Sequence, residues 1–312
     1  MLLIENLCKQ YGKLTAVDKL SLQVDTGAIF GLVGPNGAGK TTTMKILAAL
    51  LTPTSGKARI AGEDVSANPA RIRQLVGYMP DFFGVYDDLK VDEYLDFYAA
   101  SYGIPVRERR MIIGDLLELV DLSHKHQAYV DSLSRGMKQR LCLARSLVHD
   151  PALLILDEPA SGLDPRARVE MRELLKELKS MGKTIIISSH ILPELAELCT
   201  HIAIMEAGQL VISGTNQEIV EHTQTGRTLQ IRVIDQADAA ALILQEELGL
   251  TEISFINNSL ELPFSGSDED LNRILTRMVE GGIPVTAHLF LQVGLDLNNI
   301  RKIAMPVQMA AG

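Results

Sequence analysis

The residues of this chain best suited to chemistry lie in the run GPNGAGKTT, residues 34–42. The spacing of Gly34, four residues, Gly39, Lys40 and Thr41 is that of a phosphate-binding loop between a buried strand and a helix N-terminus. Glycines let backbone N–H groups approach a phosphate closely. Lys40 can reach the β- and γ-phosphates, and the Thr41 hydroxyl can ligate Mg²⁺. The run therefore predicts binding of a magnesium triphosphate.

A glycine-rich turn that only begins a helix is the simpler interpretation of the same run. Residues 29–33, directly before the loop, form an apolar run typical of a buried strand. Residues 44–51, after the loop, repeat apolar side chains at helical spacing. Because both flanks that a phosphate-binding loop requires are present, the sequence favours the nucleotide site.

Two acids, Asp157 and Glu158, follow the apolar run 153–156. This pattern is typical of a buried parallel strand that presents carboxylates at its carboxyl end, where open α/β sheets bind their ligands. Asp157 suits the Mg²⁺ shell, and Glu158 suits polarisation of an attacking water. Two acids that only end a strand before a turn are the alternative, which the phosphate-binding loop disfavours.

Two weaker patterns add candidates. Ser134 and Gly136, within LSRGMKQR (133–140), stand where a helix begins, so a hydroxyl and free N–H groups can face an anion there. A serine at such a position is more often a structural cap. His190 follows a second predicted parallel strand at residues 185–188, so we expect it at the same sheet edge as the acids.

Composition limits the class of protein. A length of 312 residues predicts two domains. The net charge of −9 and the pI of about 5.3 argue against a large nucleic-acid surface. The three scattered cysteines, Cys8, Cys142 and Cys199, favour a reducing compartment. The sequence shows no apolar run of about 18 residues and no secretion signal. We therefore expect a cytoplasmic protein that reaches a membrane only through a partner.

The elements that must position these residues divide into two predicted domains. Residues 1–220 carry the motifs and include an α-helical subdomain at about 88–147. Residues 221–312 show the order β-α-β-β-α-β, with helices expected at 237–248 and 268–280 and a last strand at 283–287. This is a ferredoxin-like plan that RNA-recognition domains share. This segment holds 6 Lys+Arg against 12 Asp+Glu and lacks the aromatic-rich RNA motif, so no nucleic-acid partner is expected.

Five motifs and their order in the chain resemble those of the ATP-binding subunit of ABC transporters, and the likeness covers about residues 2–215. The motifs are GPNGAGKTT, LSRGMKQR, ILDEP, SGLD and SSH. The resemblance implies an α/β P-loop ATPase that hydrolyses ATP with Mg²⁺. It implies two subunits, expected to be a homodimer, that meet head to tail around two ATP molecules. The second domain is similar to accessory domains of exporter ATPases, which implies an integral membrane subunit and a place on the inner face of the cell membrane.

The resemblance also assigns roles to residues. Tyr11 stacks on adenine, His190 contacts the γ-phosphate, and Glu158 activates water. Ser134 and Gly136 reach the γ-phosphate held by the partner subunit, and Asp164 lines the dimer seam. The implied metal ligands are Thr41, Asp81 and Asp157. The implied nucleotide-binding residues are Tyr11, Gly34, Pro35, Asn36, Gly37, Ala38, Gly39, Lys40, Thr41, Thr42, Asp81, Ser134, Gly136 and Asp164.

Two positions depart from the family pattern. Asp81 stands where a glutamine is usual, and its carboxylate can still meet Mg²⁺ although it adds negative charge beside a triphosphate. Arg135 stands where the signature usually has glycine, and its guanidinium can contact phosphate. Two further classes of protein therefore stay open: a soluble ABC-type ATPase, and a nucleotide-dependent regulator that hydrolyses ATP weakly.

Aromatic residues are concentrated between residues 81 and 98. A groove that receives a helix of the membrane subunit is one hypothesis for this segment, and a small aromatic core under the helical subdomain is the alternative. The residues concerned are Phe82, Phe83, Tyr86, Tyr94, Phe97 and Tyr98.

Overall fold

The chain divides into two compact units, Met1–Asn216 and Gln217–Gly312. The computed structural model describes residues 1–81, 88–219, 227–233, 237–248, 254–256, 259–264, 268–283 and 285–291. None of the helices in this described part of the chain has the length and apolar character that crossing a membrane requires.

The first unit contains two sheets. Its strands are β1 (Leu2–Tyr11), β2 (Leu14–Val24), β3 (Ile29–Val33), β4 (Ser55–Ile60), β5 (Glu63–Asp64), β6 (Val76–Met79), β7 (Leu153–Leu156), β8 (Thr184–Ser189), β9 (His201–Glu206) and β10 (Gln209–Thr215). Its helices of five residues or more are α1 (Lys40–Leu47), α2 (Pro69–Leu75), α3 (Val91–Ser101), α4 (Val106–Leu119), α5 (Arg135–Leu147), α6 (Pro165–Ser180) and α7 (Leu192–Ala196).

The larger sheet has the strand order β10-β9-β3-β8-β7-β6. Every residue of β3, β7 and β8 is buried, because helices or the other sheet cover both faces of these strands. The strands β3, β8, β7 and β6 are parallel, with Ile29 beside Ile185 and Ile155 beside Ile186. Their carboxyl ends therefore lie at one edge of the sheet.

The smaller sheet of the unit is antiparallel, in the order β2-β1-β4-β5. One apolar core joins it to the larger sheet and to α1, through side chains such as Ile4, Leu20, Phe30, Met44 and Ile155. Since Met44 belongs to α1 and Phe30 to β3, this core holds both elements that flank the residue 34–39 loop.

The predicted helical subdomain is formed by α3, α4 and α5. Tyr94 of α3 is fully buried and meets the Tyr98 ring edge-on at 5.1 Å between centroids, so it belongs to a core, whereas Phe97 is 47% exposed. Phe82, Phe83 and Tyr86 lie outside the described residues, and the groove for a membrane helix stays a hypothesis.

The second unit contains β11 (Arg227–Val233), α8 (Ala237–Leu248), β12 (Ser254–Ile256), β13 (Ser259–Phe264), α9 (Asp268–Glu280) and β14 (Val285–Leu291). This is the predicted β-α-β-β-α-β order. The antiparallel sheet has the order β12-β13-β11-β14, over a core that includes Leu229, Ile231, Leu244, Phe264 and Ile274. The last strand was predicted at residues 283–287 and lies further along the chain.

We predict opposite effects of alanine at two glycines of the first unit. A Cβ on buried Gly77 of β6 would lie 2.2 Å from the Ser146 carbonyl oxygen, so Gly77→Ala should lower the free energy of unfolding by about 1–3 kcal/mol. Gly114 is exposed within α4, and a Cβ there would have no atom within 4 Å. Gly114→Ala should therefore raise the free energy of unfolding by about 0.5–1 kcal/mol. Urea denaturation measures both, and equal effects would contradict the packing of β6 against α5.

Candidate active site

The candidate residues converge because they follow four neighbouring parallel strands. The residue 34–39 loop follows β3, Asp81 lies two residues after β6, Asp157 and Glu158 follow β7, and His190 follows β8. Most of them line a cleft of about 530 Å³ at the carboxyl edge of the sheet, whereas Gly34 and Asp157 are not part of its lining. The candidate residues in its lining are Tyr11, Pro35, Asn36, Gly37, Ala38, Gly39, Lys40, Thr41, Thr42, Asp81, Glu158 and His190.

The residue 34–39 loop ends at Gly39, the N-cap of α1. Gly39 has φ +100°, and a Cβ there would lie 2.4 Å from the Ala16 carbonyl oxygen, so both conformation and space require glycine. No side chain caps this helix, and the first intrahelical bond runs from the Thr43 N–H to the Gly39 carbonyl at 2.9 Å. The N–H groups of the first turn and the positive end of the helix dipole can therefore bind an anion.

Lys40 links the loop to the acids. It is 6% exposed and donates from Nζ to the carbonyl oxygens of Gly34 at 2.6 Å and Pro35 at 3.2 Å. The same ammonium lies 3.5 Å from Glu158 Oε1. A positive charge is thus held between the loop and the carboxylate, where it can stabilise phosphate oxygens.

Asp157 is buried and held by Ser188, the first residue of the SSH motif, to which the sequence analysis assigned no role. The Ser188 hydroxyl donates to Asp157 Oδ1 at 2.7 Å and accepts from the Glu158 N–H at 2.9 Å. The second oxygen, Asp157 Oδ2, is buried and has no hydrogen-bond partner among the described residues. An unpaired buried carboxylate oxygen needs a cation or a donor, and Mg²⁺ prefers such oxygen ligands, so this residue fits a magnesium site.

Glu158 is held in a sparsely populated conformation. Its φ is +51°, in the left-handed region where a side chain costs about 1–3 kcal/mol. Its Oε2 lies 2.9 Å from His190 Nδ1, and its Oε1 faces Lys40. The carboxylate is therefore fixed by a histidine and a lysine at the wall of the cleft, as a group that accepts a proton from water must be.

Asp81 gives the cleft a third carboxyl group. Loss of hydration raises the pKa of this carboxyl above its ordinary value, and the negative charges of Asp157 and Glu158 raise it further. The positive charges of Arg135 and His190 oppose that rise in pKa. Asp81 is therefore harder to ionise than an isolated aspartate, and the three acids together demand a cation.

Tyr11 provides an aromatic surface at one end of the cleft. Its ring is 46% exposed, and the Lys9 ammonium lies 5.2 Å from the ring centroid. Lys9 also donates to the Thr52 carbonyl at 2.8 Å, which fixes its position. The sequence motifs did not indicate Lys9, whose cation–π contact stabilises one face of the ring.

Three predicted residues lie in a different cleft. Ser134, Gly136 and Asp164 line a space of about 220 Å³ beside α5 and α6. The Ser134 hydroxyl accepts from the Met137 N–H at 3.3 Å, and Asp164 Oδ1 accepts from the Ala167 N–H at 2.9 Å. Both side chains thus cap helices, and within one chain none of the three lines the cleft beside Lys40.

Comparison with known proteins places these features in a family. The family model described as ABC transporter matches residues 17–161. The Nod factor export ATP-binding protein I of Ralstonia nicotianae (strain ATCC BAA-1114 / GMI1000) is 40% identical over 222 residues, which are 71% of this chain and 69% of that protein. Its counterpart in Burkholderia thailandensis (strain ATCC 700388 / DSM 13276 / CCUG 48851 / CIP 106301 / E264) is 37% identical over 287 residues, 92% of this chain and 88% of that protein. This longer match extends into the second unit.

Solved structures agree. An ATP-binding subunit of an ABC transporter aligns with a TM-score of 0.64 at 30% identity, covering 71% of this chain and 92% of that one. A bacterial ABC transporter cassette solved as a dimer shares the fold, with a TM-score of 0.63 at 23% identity over 69% of this chain and 99% of that one.

Ser188 forms hydrogen bonds with both Asp157 and Glu158, so replacing it should destabilise the folded protein. Ser188→Ala leaves Asp157 Oδ1 and the Glu158 N–H without their partner, so we expect the free energy of unfolding to fall by about 1–3 kcal/mol. Ser180→Ala, at an exposed serine that bonds only its own helix, is the control and should change it by less than about 0.5 kcal/mol. Chemical denaturation measures both, and equal effects would contradict the bridging role of Ser188.

Proposed function

The chain belongs to the ABC transporter family as an ATP-hydrolysing, ATP-binding subunit, and on this premise we propose what each residue of the cleft does. ATP-binding subunits of this family work with membrane subunits. We propose that this chain drives export, because both relatives compared above are named for export. Its cargo is not assigned.

ATP binds with its phosphates on the loop and its base on Tyr11. The N–H groups at the N-terminus of α1 and the Lys40 ammonium hold the phosphates, and Thr42 lies in the same first turn. The adenine stacks on the exposed Tyr11 ring. The cleft, which contains both the ring and the loop, supports this placement.

Glu158 is the general base of hydrolysis. A water oxygen attacks the γ-phosphorus, the bond from that phosphorus to the ADP oxygen breaks, and the water's proton passes to the Glu158 carboxylate. His190 Nδ1, 2.9 Å from that carboxylate, holds it in place and contacts the γ-phosphate. The observation that carries this proposal is the position of the Glu158 side chain, with His190 on one oxygen and Lys40 3.5 Å from the other.

Thr41, Asp81 and Asp157 are the residues that would hold Mg²⁺. The buried, unpaired oxygen of Asp157 is the observation that supports the ion at this place. When bound, Mg²⁺ neutralises charge on the β- and γ-phosphates. Ser188 keeps the Asp157 carboxylate oriented, and Asp81 adds a carboxyl group whose pKa is raised by burial and, further, by the negative charges of Asp157 and Glu158.

Two copies of the chain, a homodimer, form the working ATPase. Ser134, Gly136 and Asp164 line a cleft of their own, so they are placed to contact a nucleotide held by a second copy. Closing two copies around ATP, and opening them after hydrolysis, would move a membrane subunit. The chain would then lie on the inner face of the cell membrane, held there by that subunit.

Replacing the base should separate binding from hydrolysis. Glu158→Gln removes the proton acceptor, so we expect steady-state ATP turnover to fall by roughly 10² to 10⁴. The variant should still bind ATP, and with ATP it should accumulate as a dimer in light scattering. Glu173→Gln, at an exposed glutamate of α6, is the control and should keep normal turnover. Full turnover in Glu158→Gln would contradict the proposed mechanism.

Replacing the loop lysine should impair binding itself. Lys40→Ala removes a charged donor from the phosphates, so we expect the dissociation constant for ATP to rise by about 10- to 100-fold. Lys45→Ala, at the exposed face of the same helix, serves as the control and should leave the constant unchanged. Equilibrium titration with ATP measures both, and an unchanged constant in Lys40→Ala would place the phosphates elsewhere.

A further inference from the structure

Arg135 makes a contact that its place in the helix does not require. It is the first residue of α5, and its side chain reaches the turn that follows Glu158. The Arg135 Nη2 donates to the Ser161 carbonyl oxygen at 2.9 Å. The guanidinium also covers Gly162, because a Cβ there would lie 2.4 Å from Arg135 Cζ.

Helix stability does not explain an arginine at this position. The N-terminus of a helix carries the positive end of its dipole, and a cation there is unfavourable by about 0.3–1 kcal/mol. The first turn of α5 contains no acid that would offset this charge. The arginine side chain is therefore stabilised by its contact with the turn after Glu158, where it donates a hydrogen bond to the Ser161 carbonyl oxygen.

One further hydrogen bond connects the contact between Arg135 and Ser161 to the backbone of Glu158. The Ser161 N–H donates to the Glu158 carbonyl oxygen at 3.0 Å, and its own carbonyl accepts from Arg135. Two hydrogen bonds thus connect the start of α5 to the residue held at φ +51°. A residue in that conformation keeps it only where its surroundings restrain it, and this path supplies one such restraint.

We propose that Arg135 is a positioning residue for ATP hydrolysis, which holds the Ser161–Gly162 turn and thereby the Glu158 carboxylate from the first turn of α5 of the same chain. The inference rests on the proposed role of Glu158 as the base. It assigns to Arg135 a role within its own subunit, and the nucleotide of a second subunit is not its partner.

The first test compares Arg135→Gln with the parent full-length chain. We expect kcat for ATP to fall by about 5- to 20-fold because the base is less well placed, while the dissociation constant for ATP is unchanged. Arg135→Lys keeps the charge and one donor, and should recover part of the lost kcat. Arg107→Gln, at an exposed arginine of α4 that pairs with its neighbour Glu108, is the control and should behave as the parent.

The second test removes the same contact from its other side. Gly162→Ala places a methyl group where the guanidinium lies, so it should lower kcat to a similar extent. Gly162 has φ +65°, and alanine adds backbone strain there whether or not Arg135 is present. The double variant separates the two effects: if the shared contact is what matters, Gly162→Ala should lower kcat less than about twofold further in the Arg135→Gln background.

The outcomes are distinct. A kcat for Arg135→Gln equal to that of Arg107→Gln, or effects of Arg135→Gln and Gly162→Ala that multiply in full, would overturn the proposal. A raised dissociation constant for ATP in Arg135→Gln would instead place the guanidinium on phosphate and overturn it as well. Glu158→Gln is measured alongside: its full activity would refute the proposed base, whereas an inactive Glu158→Gln with an active Arg135→Gln would refute only the role of Arg135.

Discussion

The parallel pairing of four strands is the constraint on which the site depends. The strands β3, β8, β7 and β6 run in one direction, so the segments that follow them begin at one edge of the sheet. Through this alignment, residues far apart in the chain, such as Lys40, Glu158 and His190, come within 3.5 Å of a neighbour in the set. A shift of one residue in the register of a strand would turn its side chains to the opposite face and break up the site.

Charge is the second organising feature. Asp81, Asp157 and Glu158 place three carboxyl groups at the edge of the sheet where we propose that the triphosphate binds, and burial together with the charges of the other two acids raises the pKa of Asp81. Lys40 offsets part of this negative charge from within the cleft, and the N-terminus of α1 contributes its dipole. In the proposed function, the unpaired oxygen of Asp157 is where Mg²⁺ would offset the remaining negative charge.

Sequence patterns predicted some helices and strands correctly and missed others. The bounds of α8 and α9 were predicted correctly, and the amphipathic pattern of α9 gives a strong helical signal. The short strands β9 and β10 were not predicted, because an apolar run of five or six residues does not separate a strand from a buried helix. The sequence left Tyr94 open between a docking groove and a small aromatic core, and the structure shows it buried. Periodicity does not say which face of a helix meets a neighbouring helix.

The sequence by itself determined the family and the chemistry, because a phosphate-binding loop, paired acids and a strand-ending histidine are local patterns whose residue types are fixed by what they bind. Only the tertiary structure decided how these groups support one another. The bridge from Ser188 to Asp157 joins residues 31 positions apart, and the hydrogen bond from Arg135 to Ser161 joins residues 26 positions apart. Lys9, whose ammonium lies against Tyr11, is fixed by a hydrogen bond to Thr52, 43 positions away. Contacts of this kind depend on how strands and helices pack, which no local pattern encodes.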